Sequence, residues 1–268
     1  MARAKARRRD ARARMPLSAH LKEFRTRLIL ATLGVAVGAV AGWFFYTPVF
    51  EALQEPVIAA ADRDGAAVSV NFAGIATALD MQIKVSLVLG VVVSAPWWLY
   101  QLWAFVGPGL KAGEKRYAFG FLGTAVPLFF AGVALAWWVY PRAVDILIGF
   151  TPELASNFLD AQLFISFAMR LVLVFGIAFV FPVVMVALTW ARVVKARTWL
   201  KGWRWAVLLI FVASAVLTPT PDVVTMMFMA VPLCLLYFGA VGIGLLRERT
   251  AAKKEARLAG QTGRDIES

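Results

Sequence analysis

Six stretches of the chain contain no charged residue, and short connectors that are charged or rich in proline and glycine separate them. A helix needs about 20 apolar residues to cross the roughly 30 Å hydrocarbon layer, because lipid offers no hydrogen-bond partner to the backbone. All but the fifth stretch reach that length, and Pro219 and Pro221 shorten the fifth. The stretches are residues 28–50, 85–110, 117–141, 171–191, 205–221 and 223–246.

This pattern predicts an all-α polytopic membrane protein with six transmembrane helices. We place the membrane domain at residues 15–246, after a basic arm (1–14) expected to be disordered and before a charged tail (247–268). Prolines at 96, 127, 182 and 232 favour kinks, and therefore a concave, cupped arrangement of helices. The predicted spans are about 28–50, 77–104, 117–140, 163–190, 205–218 and 223–246.

The fifth span is unusually short. Its roughly 14 helical residues would cover only about 21 Å. Either the bilayer thins locally, which we hypothesise would serve the function of the protein, or neighbouring helices shield the short helix.

The charges are strongly asymmetric. The net charge is +12, although only 16% of the residues are charged and the mean hydropathy is +0.73. Of 28 Lys and Arg residues, 24 fall on one side of the predicted membrane domain and four on the other, which are Arg63, Lys84, Arg142 and Arg170. This positive-inside bias predicts a multi-pass protein of the plasma or inner membrane with both termini in the cytoplasm. It explains the basic balance without nucleic acid and leaves contact with anionic membrane lipids as a secondary expectation.

The sequence contains few of the residues that catalysis or metal binding requires. Cys234 is the only cysteine and His20 the only histidine, and protease motifs are absent, so we expect no metal, no cofactor and no enzymatic activity. None of the six stretches contains Asp or Glu, which disfavours an ion-coupled carrier. Lys84 can pair with Asp80 one turn away. Arg170 has a functional role, or it snorkels, or it pairs with outer acids. The chain reads as a binding and scaffolding membrane protein, with a small-solute secondary carrier or a non-transporting scaffold as alternatives.

The segment before the first span is amphipathic. Leu17, Leu21, Phe24 and Leu28 repeat at helical spacing on one face. We expect this segment to lie along the inner membrane surface before the chain turns in. Loops are predicted at 51–80 and 141–162 outside and at 107–116 inside.

Four strings in order resemble the TatC family, the signal-receptor subunit of the twin-arginine protein translocase. HLKEFRTRL at 20–28 resembles the family's opening signature, and SAPWWLYQLWAFVGPGLKAGEKR at 94–116 resembles its second-helix end and first inner loop. FGIAFVFPVVMVAL at 175–188 and LTPTPDVVTMMFMAVPLCLLY at 217–237 resemble the fourth helix and the loop into the sixth. The resemblance covers roughly residues 15–246.

The resemblance implies a receptor for the twin-arginine (RR) signal peptides of folded cargo, working with TatA and TatB type single-span proteins in a hetero-oligomer driven by the proton-motive force. Glu23 and Glu114 match the two glutamates that the family uses for the signal peptide. Arg25 and Phe105 match other members of the signal-peptide motifs, and Arg27, Pro56, Pro108 and Asp222 match supporting positions.

Each of these residues also has a purely structural interpretation. Glu23 could pair with Arg27 on the helix surface, and Glu114 could favour the dipole of the third helix. Arg25 and Arg27 could anchor at lipid headgroups, and Phe105 and Pro108 could pack at the interface. Asp222 is expected to cap the last span, and Pro56 to form a rigid bend in the outer loop.

The chain departs from the family pattern in its fourth helix. The family often carries glutamate or glutamine two residues before the proline, where this chain has Val180. A polar cluster that docks partner helices at this depth is therefore in doubt. GEKR also replaces the commoner ERR arrangement, which keeps the acid but alters one flanking charge.

Overall fold

The computed structural model describes residues 17–64, 68–72, 74–106, 115–149, 157–190, 194–217 and 223–267. These residues form nine helices and two short strands. The helices are α1 (Leu17–Phe44), α2 (Tyr46–Asp64), α3 (Thr77–Val93), α4 (Ala95–Val106), α5 (Lys115–Ile148), α6 (Ala161–Trp190), α7 (Ala196–Lys201), α8 (Trp203–Leu217) and α9 (Val223–Glu267). The strands are β1 (Val68–Asn71) and β2 (Asn157–Asp160).

Long apolar helices dominate the fold, as predicted. Four segments are individually long and apolar enough to cross a membrane: Ser18–Phe44, Gly120–Ile146, Ala161–Thr189 and Met226–Thr250. The pair α3 and α4 passes the same test when taken together, and α8 is a shorter apolar helix. The predicted helical, multi-pass membrane protein is therefore confirmed, while the count of six spans and their orientation stay predictions.

Pro96, which was predicted to bend the second span, lies next to an interruption between two helices. A 60° bend separates α3 from α4 at Ser94, two residues before Pro96. The Ser94 hydroxyl donates to the Gly90 carbonyl at 2.6 Å, and the Trp97 amide donates to the Ser94 carbonyl at 2.9 Å. The hydrogen bonds of the bend are thus made locally. Pro127, Pro182 and Pro232 lie within continuous helices, and the cupped arrangement stays a prediction.

The structure corrects the predicted surface helix and loops. The chain does not turn near residue 28, because α1 runs unbroken for 28 residues, about 42 Å at 1.5 Å per residue. The first half of the segment 51–80, predicted as an outer loop, belongs to α2, and Pro56 lies inside this helix rather than at a loop bend. Leu53 and Val57, four residues apart, bury one face of α2 in the core, which explains why this segment is helical.

Two other helices also extend past their predicted ends. Helix α5 continues to Ile148 through a predicted outer loop, and α9 continues to Glu267 through the predicted tail. A window of apolar residues measures compatibility with lipid, whereas a helix continues as long as its residues tolerate helical backbone. The arm at 1–14 and most of the inner loop (107–114) lie outside the described residues.

A two-stranded parallel sheet joins the two segments that were predicted to lie outside the membrane. Strand β1 pairs with β2 in the register Val68 with Asn157 through Asn71 with Asp160. The Asp160 carboxylate then accepts a hydrogen bond from the Gln162 amide at 2.8 Å, which caps the start of α6. The sequence analysis did not predict these strands.

The main core lies between α2, α3, α5 and α6. Phe175, Met81, Leu53 and Ile165 are among its fully buried side chains. The Tyr140 hydroxyl donates to the Leu53 carbonyl at 2.9 Å, tying α5 to α2.

Helix α1 packs against α3 through glycines. A Cβ atom on Gly38 would lie 2.7 Å from the Gly90 carbonyl oxygen, and one on Gly42 would lie 2.8 Å from the Ser86 carbonyl oxygen. The two backbones approach so closely because these positions carry no side chain, as at small-residue contacts between membrane helices. This contact fixes α1 against α3. After the bend, α4 continues along α1 in the same direction, towards the first residues of α1.

Candidate functional site

The candidate site is built where α1 and α4 run antiparallel, and three contacts hold them in register. The Trp97 indole N–H donates to the Leu30 carbonyl at 2.9 Å. One turn further along α4, the Arg27 guanidinium donates to the Gln101 side-chain oxygen at 3.0 Å. At the end of α4, Phe105 contacts the aromatic rings of His20 and Phe24.

Glu23 lies between the second and third of these contacts. Its carboxylate is 3.8 Å from the Arg27 guanidinium, beyond hydrogen-bond distance, and the side chain is 22% exposed. Arg27 already donates to Gln101, so its guanidinium is shared between the two partners. Glu23 therefore has room and hydrogen-bonding capacity for a second cation.

The aromatic contact beside Glu23 includes the predicted site residue Phe105. The Phe105 and His20 rings stack with centroids 4.6 Å apart, and Phe24 meets Phe105 edge-on at 5.3 Å. Phe105 is half-buried and Phe24 exposed. An apolar surface thus adjoins the carboxylate.

A groove of about 490 Å³ follows the same face of α1. Its described wall includes Ala19, Lys22, Glu23, Thr26, Arg27 and Leu30. These positions repeat at three and four residues, so they form one helix face. The groove offers an anionic group and an aliphatic floor to an extended segment.

The structure brings Glu23 and Arg27 together, and Phe105 contacts Phe24, the residue after Glu23. Arg25 lies exposed on the same turn of α1. Arg27 bonds to the protein itself and is not solely a headgroup anchor. Pro56 lies in α2, which leads away from the other end of α1. Glu114, Pro108 and Asp222 fall outside the described residues.

Sequence reasoning missed Gln101 and the site role of His20. Gln101 is 2% exposed. A buried glutamine requires a hydrogen-bond partner, so a glutamine within an apolar helix was the available signal for a contact of this kind. Its partner, Arg27, is 74 residues earlier in the chain, a separation that no local pattern spans.

Val180, which departs from the family pattern, has an apolar side chain in apolar surroundings. Val180 is buried in a cluster that includes Leu99, Phe129 and Val183. Elsewhere, the predicted pair of Lys84 and Asp80 is confirmed at 2.5 Å, and Arg170 is exposed.

At one end of the α1–α4 pair, this helical membrane protein presents a carboxylate, neighbouring basic side chains and an aromatic contact. These are the features of a binding protein. Comparison with known proteins defines its family. The family model described as Sec-independent protein translocase protein (TatC) matches residues 19–232, and the chain belongs to this family.

Individual relatives agree across nearly the whole chain. The Sec-independent protein translocase protein TatC of Xylanimonas cellulosilytica is 53% identical over 91% of this chain and 89% of its own. The protein of the same name from Aquifex aeolicus is 35% identical over 91% of this chain and its full length. A crystal structure of the twin-arginine translocase receptor TatC superposes with a TM-score of 0.76, at 33% identity, covering 85% of this chain and 98% of that one.

Proposed function

We propose that this chain is the receptor and core component of a twin-arginine translocase. It binds the RR signal peptides of folded cargo at the cytoplasmic face and takes part in export driven by the proton-motive force. The role is binding and transport rather than catalysis. The observation that carries the proposal is Glu23, a partly exposed carboxylate with only a loose ion pair, next in the chain to Phe24, whose ring contacts Phe105.

The chemistry favours arginine over lysine. A carboxylate can accept two parallel hydrogen bonds from one guanidinium, whereas an ammonium acts as a point charge. Exposed Lys22 and Arg25 flank Glu23 on α1 and repel basic peptides that do not reach the carboxylate. The site therefore favours a peptide with guanidinium groups at the matching position.

We assign the second arginine of the signal to Glu114, which follows α4 by eight residues. Pro108 is assigned to shaping the approach between Phe105 and Glu114. Asp222 and Pro56 are assigned supporting roles, as an N-cap for α9 and a packing residue in α2. These assignments rest on the family motifs.

The proposed setting is the plasma or inner membrane. Both termini are cytoplasmic, and the chain crosses six times, with α3 and α4 together forming the second span and α8 the fifth. Its partners are single-span proteins of the TatA and TatB types. The distribution of Lys and Arg supports this orientation.

The test is peptide affinity measured on the purified full-length chain. A fluorescent RR signal peptide should bind the Glu23→Gln variant about 10- to 100-fold more weakly, because a charge-assisted hydrogen bond contributes about 1.5–3 kcal/mol. A KK peptide should bind the wild type weakly and lose less on the same substitution.

Glu51→Gln is the matched control. Glu51 is an exposed acid in α2, away from the α1–α4 contact. Its neutralisation should leave RR affinity unchanged. Equal losses in Glu23→Gln and Glu51→Gln would show a general effect of charge and overturn the assignment of Glu23.

A further inference from the structure

An apolar cavity of about 620 Å³ lies between α6, α7, α8 and α9, and its lining includes no residue of α1 or α4. Its volume is in the range of small-molecule sites, about 300–1,000 Å³. Its walls are almost entirely apolar and include Ala178, Phe181, Trp199, Leu209, Ala213 and Tyr237.

One end of this cavity has a basic rim. Thr198, Trp199 and Gly202 line that end, and four exposed basic residues lie within three positions of them in the chain: Lys195, Arg197, Lys201 and Arg204. Residues 161–221 contain no Asp or Glu. The nearby Glu248 carboxylate accepts a hydrogen bond from the Ala196 amide at 2.7 Å, which joins α9 to α7.

Exposed tryptophans mark the same rim as the level of lipid headgroups. Trp203 and Trp205 are both exposed, Trp205 by 73%, and the Arg204 guanidinium lies 5.7 Å from the Trp203 ring centre. Tryptophan with arginine or lysine at a helix end is typical of the boundary between headgroups and hydrocarbon. From Gly202 to Ala213 the cavity follows the helix for about 16 Å into the apolar layer.

We propose that this cavity binds one anionic phospholipid, with an acyl chain inside and the phosphate on the basic rim. Basic pockets between transmembrane helices suit such headgroups. The lipid site goes beyond the receptor role and does not depend on it.

The test is native mass spectrometry of the purified full chain in detergent, with phosphatidylglycerol or phosphatidylcholine added at equal concentration. We expect one phosphatidylglycerol to be retained in preference to phosphatidylcholine. Ala213→Phe places a phenyl ring in the cavity, in the path of the acyl chain, and should weaken retention, whereas Val212→Phe, on the adjacent exposed face of α8, should not.

A second pair of variants tests the rim without changing the packing. Arg197→Gln with Lys201→Gln should lower phosphatidylglycerol affinity by about 25-fold, at about fivefold per basic residue. Lys84→Gln with Arg142→Gln removes the same charge elsewhere and should leave binding unchanged. Inorganic phosphate should not compete, because it lacks the acyl chain.

Three results would overturn the proposal. They are equal retention of the two lipids, unchanged binding in either Ala213→Phe or the rim variant, or displacement of the lipid by inorganic phosphate. Unchanged lipid binding in Ala213→Phe would leave the cavity to a partner helix instead.

Discussion

The contact between α1 and α3 depends on the missing side chain of Gly90. A Cβ atom at this position would lie 2.6 Å from the Ala39 amide nitrogen and 2.7 Å from the Val35 carbonyl oxygen. Both are backbone atoms, so no side chain can move aside. Gly90→Ala must therefore push the two helices apart, by about 0.8 Å if the shorter distance is to reach the 3.4 Å of an ordinary contact.

The magnitude follows from the cost of overpacking, which is typically about 1–3 kcal/mol. Alanine also favours a helix over glycine by up to about 1 kcal/mol, which partly hides that cost. Gly239→Ala isolates the packing term, because both residues are within helices and a Cβ at Gly239 meets nothing within 4 Å. The two variants should therefore differ by the full packing cost.

The assay is thermal unfolding of the full chain in detergent, followed by tryptophan fluorescence. At roughly 2–4 °C per kcal/mol for a chain of this size, Gly90→Ala should melt several degrees below Gly239→Ala. The displaced α1 should also bind an RR peptide more weakly, because Arg27 and Gln101 would lose register. Equal melting temperatures for the two variants would refute the close-packing argument.

Three further substitutions test other contacts. Glu248→Ala should accelerate hydrogen exchange at the Ala196 amide, with Glu248→Gln in between, since only the first removes the acceptor. Tyr140→Phe should lower stability by about 1 kcal/mol in thermal unfolding, because the hydroxyl bond to the Leu53 carbonyl is lost in the core. Val180→Gln should cost about 1–3 kcal/mol, because its buried surroundings are apolar, and an unchanged melting temperature would show that a polar partner is within reach.

Charge-free stretches predicted most of the membrane helices because lipid excludes charge and requires complete backbone hydrogen bonding. The same criterion could not predict α2, which is amphipathic and helical because Leu53 and Val57 pack on the core. It also could not place the end of α9, since hydropathy reports on the surrounding solvent and not on backbone continuity. The β1–β2 pairing joins segments almost ninety residues apart and has no local signature.

In the candidate site, too, local spacing predicted some contacts and tertiary packing determines the others. Helical spacing predicted that Glu23 and Arg27 would lie on one face, and the structure confirms their proximity. The contacts that attach this face to α4, through Gln101 and Phe105, depend on tertiary packing. The resemblance to the family predicted a site role for Phe105. Without that resemblance, the sequence favours an ordinary surface ion pair between Glu23 and Arg27.

The most direct test of the receptor role is photocrosslinking from the groove beside Glu23. A photoreactive residue at Thr26, which lines the groove, should label an RR signal peptide, and one at exposed Val216 of α8 should not. The KK peptide, or an RR peptide presented to the Glu23→Gln variant, should label far less. Equal labelling by the RR and KK peptides, or undiminished labelling of Glu23→Gln, would contradict recognition of paired arginines at this site.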